Sequence, residues 1–472
     1  MERANNLSIF FSSSNFNEYK IDCSIFLMSI VLTYVFMHRW NQRNLNSPKS
    51  WPFIGVLIEL LMNYHRMHDW LTEYFVESKT FKPANVEHVL KTNIHNYPKG
   101  EAFHACMEEL FGDGIFNSDG EIWKQQRKTS SFEFASRNLR NFSTIVFRDY
   151  ALILSGILHQ ASICGKEIDM QELLLRMTLD SICKVGFGVE IGTLAHELPD
   201  NRFAKACEDA TSTITYRFIN PLWRLEKFFN VGSEALLVQS IQVIDEFTYS
   251  LIHKRKAELQ GAKTTDNNAK HDIMSRFIEL SENADNSLTD RSLRDVIINF
   301  VLATIYKELL TFEENQANEV TVYDPEEPKS FTERLAIFAS LLNYDSLGRL
   351  SYLHATITET LLAGGQVVYS SYAMGRMVYN WGPYATSFNP DGWLNKEGLC
   401  QSASPFKFTA FQAGPRTCLG KDSAYLQMKM TLAILCRFFN FHLIPYHPVE
   451  YKMTTTLNMK HGLKLTITTR QS

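Results

Sequence analysis

The sequence predicts a mainly helical protein with a small β portion, an α+β fold, behind a short apolar segment near the N-terminus. Three observations support this prediction. Long stretches carry apolar residues at three- to four-residue spacing, as amphipathic helices do. Residues 463–468 alternate apolar and polar side chains, as a half-buried strand does. Residues 23–38 contain no Asp, Glu, Lys or Arg.

Composition narrows the class of protein. The chain has 472 residues, of which 45% are hydrophobic and 12% aromatic, enough to bury a large core. The formal net charge of −4 gives no reason to expect a nucleic acid as a partner. The chain has 8 cysteines, none in a Cys-x-x-Cys pair and most in apolar, helix-like surroundings. We therefore expect reduced thiols and neither a disulfide framework nor a zinc site.

The apolar segment 23–38 is at the short limit for a membrane span, for which about 17–25 residues are usual. Arg39, Arg43 and Lys49 follow it, so the positive-inside rule predicts a lumenal tail at 1–22, a transmembrane anchor and a cytosolic body. A cleaved signal peptide is less favoured, because no basic region precedes the segment and no small-residue cleavage site follows it. A buried core helix is the third interpretation.

Residues 39–55 form a basic linker marked by Pro48 and Pro52. Helical periods dominate the body, residues 56–472. We predict helices over 58–76, 85–91, 137–160, 168–186, 202–216, 233–259 and 424–439, and another that opens at 119–121.

Other stretches of the body have distinct patterns. Residues 170–185 carry a long apolar stripe, which favours core packing. Polar residues at 261–270 and 313–330 predict surface loops. The dipeptide at 461–462, His-Gly, predicts a turn before the strand at 463–468, and hence a terminal hairpin.

One cysteine lies in a setting that suits chemistry. Cys418 belongs to the stretch FQAGPRTCLG, a glycine-flanked loop that leads into the helix at 424–439. A helix N-terminus stabilises a thiolate. Gly414 permits a tight turn, and Gly420 lets a flat ligand approach the backbone. Arg416 can reach an anionic group on that ligand, although a buried structural cysteine is the alternative interpretation.

The spacing F-x-x-G-x-R-x-C-x-G resembles the haem-binding loop of the cytochrome P450 family at all five fixed positions. The resemblance implies the cytochrome P450 fold for residues 56–472. It also implies a haem cofactor bound by the loop residues Phe411, Gly414, Arg416 and Gly420. Cys418 is then the metal ligand, the axial thiolate on haem iron.

Trp123 and Arg127 are four residues apart, so they share a face of the helix that opens at 119–121. Trp-x-x-x-Arg resembles the family motif whose side chains contact a haem propionate. With the cysteine loop present, the pair is predicted to bind the cofactor. Phe103 and His104 precede it, in a stretch where the family often contacts substrate; a surface loop is the equal alternative.

The distal helix of the family is incomplete in this sequence. Residues 293–303 resemble the start of that helix, but Ala303 runs directly into Thr304 and a segment that resembles a later helix. The acid–alcohol pair that relays protons to dioxygen in the family is therefore absent, and no catalytic residue is assigned.

Two arginines of the family are also replaced. Glu359 matches the glutamate of the Glu-x-x-Arg motif, with Leu362 in the arginine position. Residues 388–393 resemble F-x-P-x-R-W, with Gly392 in the arginine position. A buried glutamate without its cation is costly or becomes protonated. Similarity resumes after these gaps, so we expect internal deletions and an incomplete fold, arising in the gene or in the assembly of its coding sequence.

Residues 403–430 resemble plant members that hydroxylate fatty acids at or near the chain end. The resemblance implies a haem-thiolate monooxygenase that uses dioxygen on fatty acids or similar lipophilic chains. Its electrons would come from NADPH through NADPH-cytochrome P450 reductase. The expected location is the endoplasmic reticulum membrane, single-pass, with the body facing the cytosol.

Two further hypotheses stay open. A non-catalytic, membrane-anchored protein with weak or no haem binding would follow from the missing arginines and relay. A peroxide-rearranging member is less favoured, because this cysteine loop lacks the insertion usual in such proteins. Four basic residues near the loop either face an acidic reductase or form an ordinary solvated surface. They are Lys407, Arg416, Lys421 and Lys429.

Overall fold

The structure of this chain is a computed structural model. It describes residues 28–29, 31–37, 50–51, 55–78, 82–92, 94, 97–195, 198, 201–262, 272–283, 289–305, 370–454 and 457–470. The chain divides into two compact units, Met1–Ser78 and Lys79–Ser472. The cysteine loop belongs to the second unit. The loop predicted at 313–330 lies outside the described residues, as do Glu359, Leu362 and most of the loop predicted at 261–270.

In the first unit, part of the predicted anchor is described. Residues 28–29 and 31–37 are helical, whereas 23–27, 30, 38 and the tail 1–22 lie outside the described residues. Within the part of the chain that is described, no helix combines the length and the apolar character needed to cross a membrane.

Two helices follow in this unit, α1 (Leu57–Met62) and α2 (Met67–Ser78), joined by a 3-10 turn at Tyr64–Arg66. The sequence predicts a single helix over 58–76. That prediction is wrong at Tyr64–Arg66, where the 3-10 turn separates α1 from α2. Asn63 is the C-cap of α1: its backbone leaves helical geometry (φ −102°, ψ 11°), and its side-chain Nδ2 donates to the Glu59 carbonyl at 2.9 Å.

The second unit is built from helices. Its longer helices are α4 (Gly100–Phe111), α5 (Gly120–Ala135), α6 (Arg137–Cys164), α7 (Met170–Phe187), α8 (Arg202–Arg217), α10 (Gly232–Ala262), α11 (Ile273–Asn283), α12 (Asp290–Ile305) and α15 (Lys421–Phe438). The short ones are α3 (Pro83–Glu87), which continues into a π-helical turn (His88–Thr92), α9 (Trp223–Phe229), α13 (Ser371–Met374) and α14 (Val378–Trp381). Two further 3-10 turns lie at Pro390–Trp393 and Gly414–Arg416.

Most of the predicted helices of this unit are confirmed. Those at 137–160, 202–216, 233–259 and 424–439, and the one opening at 119–121, agree with α6, α8, α10, α15 and α5 to within a few residues. The helix at 168–186 begins with a short strand, and the helix at 85–91 changes to π-helical geometry in its second half.

Side-chain caps explain where several of these helices begin. Ser136, Asp169 and Asn201 each accept a hydrogen bond from the backbone N–H three residues further on, at 3.5, 3.3 and 2.9 Å. These bonds satisfy N–H groups that have no partner inside the helix. Gly165 and Gly188 end α6 and α7 with positive φ, which glycine adopts without steric cost.

Helix α7 lies between two parts of the hydrophobic core. Leu179 and Ile182 pack into a cluster with residues of α8, α10 and α12. Leu173 and Met177 pack into a second cluster with residues of α6, α15 and strands of the sheet. The apolar stripe at 170–185 is therefore used for core packing, as predicted.

The β portion consists of two small sheets. β1 (Ile168–Asp169), β5 (Lys464–Thr469) and β2 (Phe439–Leu443) form one antiparallel sheet in the order β1-β5-β2. β3 (Tyr451–Lys452) pairs with β4 (Asn458–Met459) in the other. The strand predicted at 463–468 is confirmed, but the predicted hairpin is wrong, because β5 pairs on both edges with strands distant in sequence.

Candidate functional site

The loop that precedes α15 holds the thiol of Cys418. The Cys418 N–H donates to the Phe411 carbonyl at 2.8 Å, and Thr417 Oγ1 donates to the Gly414 carbonyl at 2.7 Å. Gly420 is the N-cap of α15 and accepts the Ala424 N–H at 2.8 Å. The loop therefore presents a half-buried thiol just before the N-terminal end of an 18-residue helix.

Gly414 and Gly420 have different structural roles in this loop. Gly414 has φ +64°, and a β-carbon there would lie 2.2 Å from the Leu90 carbonyl oxygen, so no other residue fits without a backbone shift. A β-carbon at Gly420 would lie 3.7 Å from Phe134 Cε1 and 4.0 Å from Cys418 Sγ. A side chain at Gly420 would therefore extend into the space directly beside the sulfur, which glycine leaves unoccupied.

An aromatic cluster packs against the cysteine loop. Phe411 is buried, and its ring lies 5.3 Å from that of Tyr425 on α15. Trp393 and Phe408 belong to the same cluster, with ring centroids 5.3 Å apart. The structure therefore places Phe411 among packed rings, with its carbonyl holding the Cys418 backbone.

A cluster of cations lies next to the loop, where α5 begins. Arg416 donates to the carboxylate of Asp119 and to the Ser118 carbonyl at 3.4 Å. Its guanidinium carbon lies 4.5 Å from the centre of the Trp123 ring. The structure therefore brings together the predicted residues Trp123 and Arg416.

Arg127, one turn after Trp123, belongs to the same cluster. Burial lowers its pKa; Arg416 acts in the same direction, and negative charge at Cys418 acts in the opposite direction. Arg127 thus interacts electrostatically with both Arg416 and Cys418, so it lies near the cysteine loop.

Lys99 is a cluster member that the sequence did not identify. The backbone N–H groups of Lys99 and Gly100 donate to Asp119 Oδ2 at 2.8 and 3.1 Å. Burial lowers the pKa of the Lys99 ammonium to about 7, and the charge of Arg416 adds to this effect. Lys99 lies just before α4 in a Pro-Lys-Gly turn, and its proximity to Arg416 exists only in the folded chain.

This cationic cluster, Lys99, Arg127 and Arg416 around Asp119, has more positive than negative charge among the described residues. Burial also lowers the pKa of Arg416, although Asp119 partly offsets that effect. Partly buried cations without enough counter-charge favour an anionic ligand. A planar group with two carboxylates at its edge, such as haem, fits the open space at Gly420 and these cations together.

On the other side of the loop, α12 holds the segment that connects α4 and α5. The Asp295 carboxylate accepts the Asp113 N–H at 3.1 Å, and Asn299 Oδ1 accepts the Phe116 N–H at 2.9 Å. Phe300 of α12 packs against Phe134, 5.8 Å between ring centroids. Phe134 thereby links the cysteine loop to α12.

The predicted distal helix, 293–303, is confirmed as part of α12. Its described carboxylates are already engaged: Asp290 binds Lys256, and Asp295 binds the Asp113 N–H and Arg294. The side chain of Thr304 lies outside the described residues.

Some other predicted residues lie away from the loop or differ from expectation. Gly392 is exposed in a 3-10 turn, and a β-carbon there would lie 3.2 Å from Asn389 Nδ2. Phe103 and His104 lie in helix α4, so the surface-loop alternative for them is wrong. Phe103 packs against Phe218, with ring centroids 5.6 Å apart.

A family model described as Cytochrome P450 matches residues 46–305 and 360–467. The two matched blocks include every residue of the cysteine loop and of the cationic cluster. The first block ends where α12 ends, and the second resumes next to Glu359.

Plant proteins are similar to this chain over nearly its full length. Cytochrome P450 704B1 of Arabidopsis thaliana is 53% identical over 515 aligned positions, covering 93% of this chain and 98% of the relative. Because 515 exceeds the 472 residues of the chain, that alignment opens gaps in it. Cytochrome P450 704C1 of Pinus taeda is 37% identical, covering 95% and 96%. Cytochrome P450 86B1 of Arabidopsis thaliana is 32% identical, covering 98% and 94%.

Two solved structures share the fold. The cytochrome P450DA haem domain has a TM-score of 0.62 at 15% identity and covers 90% of this chain and 97% of its own. A cytochrome P450 named CYP102L1 has a TM-score of 0.57 at 17% identity and covers 79% and 88%. At these identities the likeness shows the fold alone: mainly helical with few strands.

Proposed function

Because this chain belongs to the cytochrome P450 family, we propose that it hydroxylates a fatty acid or a similar lipophilic chain at or near the chain end. The chain is a monooxygenase of that family, with a haem-iron cofactor and electrons supplied by a reductase. The observation that supports haem binding is the thiol of Cys418 beside Gly420 and a cationic cluster. The acyl substrate is supported by the resemblance of residues 403–430 to plant members that hydroxylate fatty acids.

We assign haem binding to the chain's own residues as follows. Cys418 supplies the thiolate for the iron, and Gly420 leaves space beside it. Arg416, Arg127 and Lys99 neutralise the two propionates, with Trp123 packed against Arg416. When bound, haem supplies dioxygen activation: one oxygen atom enters a C–H bond and the other leaves as water, with two electrons from the reductase and two protons.

The chain's part is to hold the thiolate, exclude water and orient the substrate. The hydrogen bond from Cys418 N–H to the Phe411 carbonyl fixes the conformation of the loop. The aromatic cluster excludes water from the side of the loop that packs against it. Delivery of protons from α12 has no described acid–alcohol pair, since Asp290 and Asp295 are engaged elsewhere.

We propose that internal segments of this chain have been lost by deletion. The family model does not extend over 306–359, and the alignment with the 53% identical relative opens gaps in this chain. The gaps in that alignment support the loss of segments; the proposed places, near Ala303 and Leu362, rest on the motifs that the sequence lacks there. A transcript that encodes the missing motifs would contradict it.

We also propose a domain organisation and a redox partner for this chain. The chain would comprise a lumenal tail (1–22), an anchor (23–38), a linker (39–55) and a haem domain (56–472) in the endoplasmic reticulum membrane. NADPH-cytochrome P450 reductase would dock near the cysteine loop. Among the basic residues suggested for that surface, Lys429 is buried against Tyr425, so it is excluded, while Lys421 is exposed.

The reduced, carbon-monoxide difference spectrum tests the assignment. We expect a thiolate-type band in the full chain, its loss in Cys418→Ala, and its retention in Cys436→Ala, which removes a thiol from the last turn of α15. Turnover of hexadecanoic acid with NADPH and reductase then tests the substrate class. No haem at all in the full chain would favour the non-catalytic hypothesis instead.

A further inference from the structure

Asn299 of α12 connects this helix to the segment 112–118, which joins α4 to α5. The side chain of Asn299 is fully buried. Its Nδ2 donates to the carbonyl of Phe111, the last residue of α4, at 2.9 Å, and to the Asp295 carbonyl within α12 at 2.7 Å. Its Oδ1 accepts the Phe116 N–H at 2.9 Å. Both donors of the amide are therefore used, and Asn299 binds the chain on either side of the turn at 112–115.

The backbone of this segment lies directly against α12. A β-carbon at Gly112 would clash with the Asp295 carboxylate, and one at Gly114 would clash with Asn299 Nδ2. The Asp113 N–H, between these two glycines, donates to Asp295 Oδ2 at 3.1 Å. The course of the segment is therefore set by contact with two side chains of α12.

The same segment binds the cationic cluster. The Phe116 carbonyl accepts the ammonium of Lys99, and the Ser118 carbonyl accepts the guanidinium of Arg416 at 3.4 Å. Phe116 thus donates its N–H to Asn299 and accepts Lys99 with its carbonyl. One residue of the segment joins the buried amide of α12 to the cation.

Lys99 depends on such a partner for its position. A lysine ammonium sits on a flexible four-carbon stem and by itself stays in water. Burial lowers the pKa of the Lys99 ammonium to about 7; the charge of Arg416 acts in the same direction, and Asp119 acts in the opposite one. The ammonium therefore lies out of bulk water and near a second cation, an arrangement that is unfavourable until an anion binds.

We propose that Asn299 is a positioning residue for the cofactor: through Phe116 it holds the Lys99 ammonium beside Arg416, where a haem propionate is received. This inference rests on the proposed assignment of haem binding. Asn299 acts through the backbone of the segment, so α12 sets the geometry of the propionate site without supplying a charge to it.

The titration of Lys99 in the haem-free full chain tests this role without the cofactor. With 13C at lysine Cε, the resonance that is absent from Lys99→Arg reports this ammonium, and its midpoint should be about 7. Asn299→Ala removes the hydrogen bond to the Phe116 N–H. Gly114→Ala pushes the segment away from Asn299. Each variant should move the midpoint towards the ordinary value of 10.5, because the ammonium turns out into water.

Asn220→Ala is the matched control. Asn220 is also a buried asparagine that holds a loop: its Nδ2 donates to Glu226 Oε1 at 2.9 Å, and its Oδ1 accepts the Leu222 N–H at 3.0 Å. Its replacement should lower stability as Asn299→Ala does, but leave the Lys99 midpoint unchanged.

Haem titration followed by absorbance gives a second readout. Asn299→Ala should raise the haem dissociation constant at pH 6 about tenfold, although Lys99 is protonated there with or without the substitution. It should also remove the part of the pH dependence of haem affinity that comes from Lys99. Asn220→Ala should change neither quantity.

A midpoint near 7 in a folded Asn299→Ala chain would overturn the proposal and leave Asn299 a purely structural role, as would equal changes in Asn220→Ala. Should neither Asn299→Ala nor Gly114→Ala fold, the wild-type chain decides. Its Phe116 carbonyl carbon should titrate with the Lys99 midpoint, and a carbonyl that does not respond would contradict the proposal. A chain that binds no haem would contradict the proposed function, while the Lys99 midpoints would still decide the role of Asn299.

Discussion

Arg217 and Arg416 are both held by carboxylates, yet their surroundings move their pKa values in opposite directions. Burial alone would lower the pKa of Arg217, but the hydrogen bonds that it donates to Glu234 and Glu109 outweigh burial and raise the pKa. Burial lowers the pKa of Arg416, and Asp119 offsets that only in part. The first site is electrostatically complete within the chain, and the second needs an anion from outside. Charge balance thus distinguishes the cluster around Arg217, which is paired within the chain, from the cluster around Arg416, which we propose binds an anionic ligand.

Replacing Arg217 should have the largest effect on stability. Arg217→Met leaves Glu234, which is 2% exposed, without a cation. Loss of one partner of a buried ion pair typically costs about 3–5 kcal/mol of unfolding free energy. Guanidinium unfolding of the full chain measures it. Arg148→Met is the control, since Arg148 pairs with Asp149 at 3.8 Å on the surface and should change stability by less than about 1 kcal/mol. Equal effects of the two variants would contradict the comparison.

Replacing Arg416 should affect haem binding more than the fold. We expect Arg416→Met to raise the haem dissociation constant about tenfold or more, since a charge-assisted hydrogen bond to a propionate is lost. The unfolding free energy of the haem-free chain should change by only about 1 kcal/mol. Haem titration followed by absorbance and guanidinium unfolding measure the two quantities. Lys421→Met, exposed and beside the same loop, is the control and should alter neither.

Lys99 should make haem binding depend on pH. Its pKa is lowered to about 7 in the haem-free chain, and propionates would keep the ammonium protonated, so binding takes up a proton above pH 7. Affinity should therefore fall as the pH rises from 7 towards 9, by up to about tenfold per unit. Lys99→Met should remove this slope and lower the affinity at pH 6. A slope that persists in Lys99→Met would assign the pH dependence to another group.

The same lowered pKa has a defined effect on the haem-free fold. Between about 7 and the ordinary value near 10.5, the unfolded chain holds the proton and the folded chain does not. This group therefore makes the haem-free chain more stable as the pH rises through that window, opposite to its effect on haem affinity. Unfolding measured at several pH values should show stability rising with pH in the haem-free chain and little dependence on pH with haem bound, because the ammonium then stays protonated in both states.

Glu109 should have the smallest effect. Although burial acts in the other direction, hydrogen bonds from Arg217 and Lys227 lower its pKa, so its contribution is present at neutral pH and is lost as the solution is acidified below about 4.5. We expect Glu109→Gln to cost about 1 kcal/mol at pH 7, because Arg217 keeps Glu234. The variant should then lose less stability than the wild-type chain on acidification. An effect as large as that of Arg217→Met would mean that both carboxylates are needed.

Local patterns predicted part of this site, and they fail where the partners come from distant segments. The cysteine loop, and the pair Trp123 and Arg127, were found because fixed spacing in one segment reports one local geometry. Lys99 was missed, since its place in the cluster depends on α4 and the loop meeting in space. The prediction for Lys429 failed for a different reason. Its basic neighbours suggested an exposed side chain, but in α15 the side chain is buried against Tyr425 of the aromatic cluster.

The fold shows the same division. Helices α5 to α8, α10 and α15 follow from residue periodicity and caps, and strand β5 follows from alternation. Helices α4, α9 and α11 were not predicted. The partner strands β1 and β2 could not be predicted, because each is paired with β5 by long-range contacts alone. The end of α1 lies at one residue, Asn63, whose backbone leaves helical geometry and whose side chain donates back to its own helix.

The backbone contact between Gly414 and Leu90 sets an order of events during synthesis. Because Gly414 has no β-carbon, the Leu90 carbonyl of the π-helical turn can approach the cysteine loop closely. These two segments are far apart in the sequence of the second unit. Contacts between segments far apart in sequence form slowly. On a ribosome the turn emerges early and has nothing to dock against until translation is nearly complete. The loop that presents Cys418 therefore takes its final shape only after residues 90 and 414 have both been synthesised and have met, so we expect cofactor insertion to be a late step of folding.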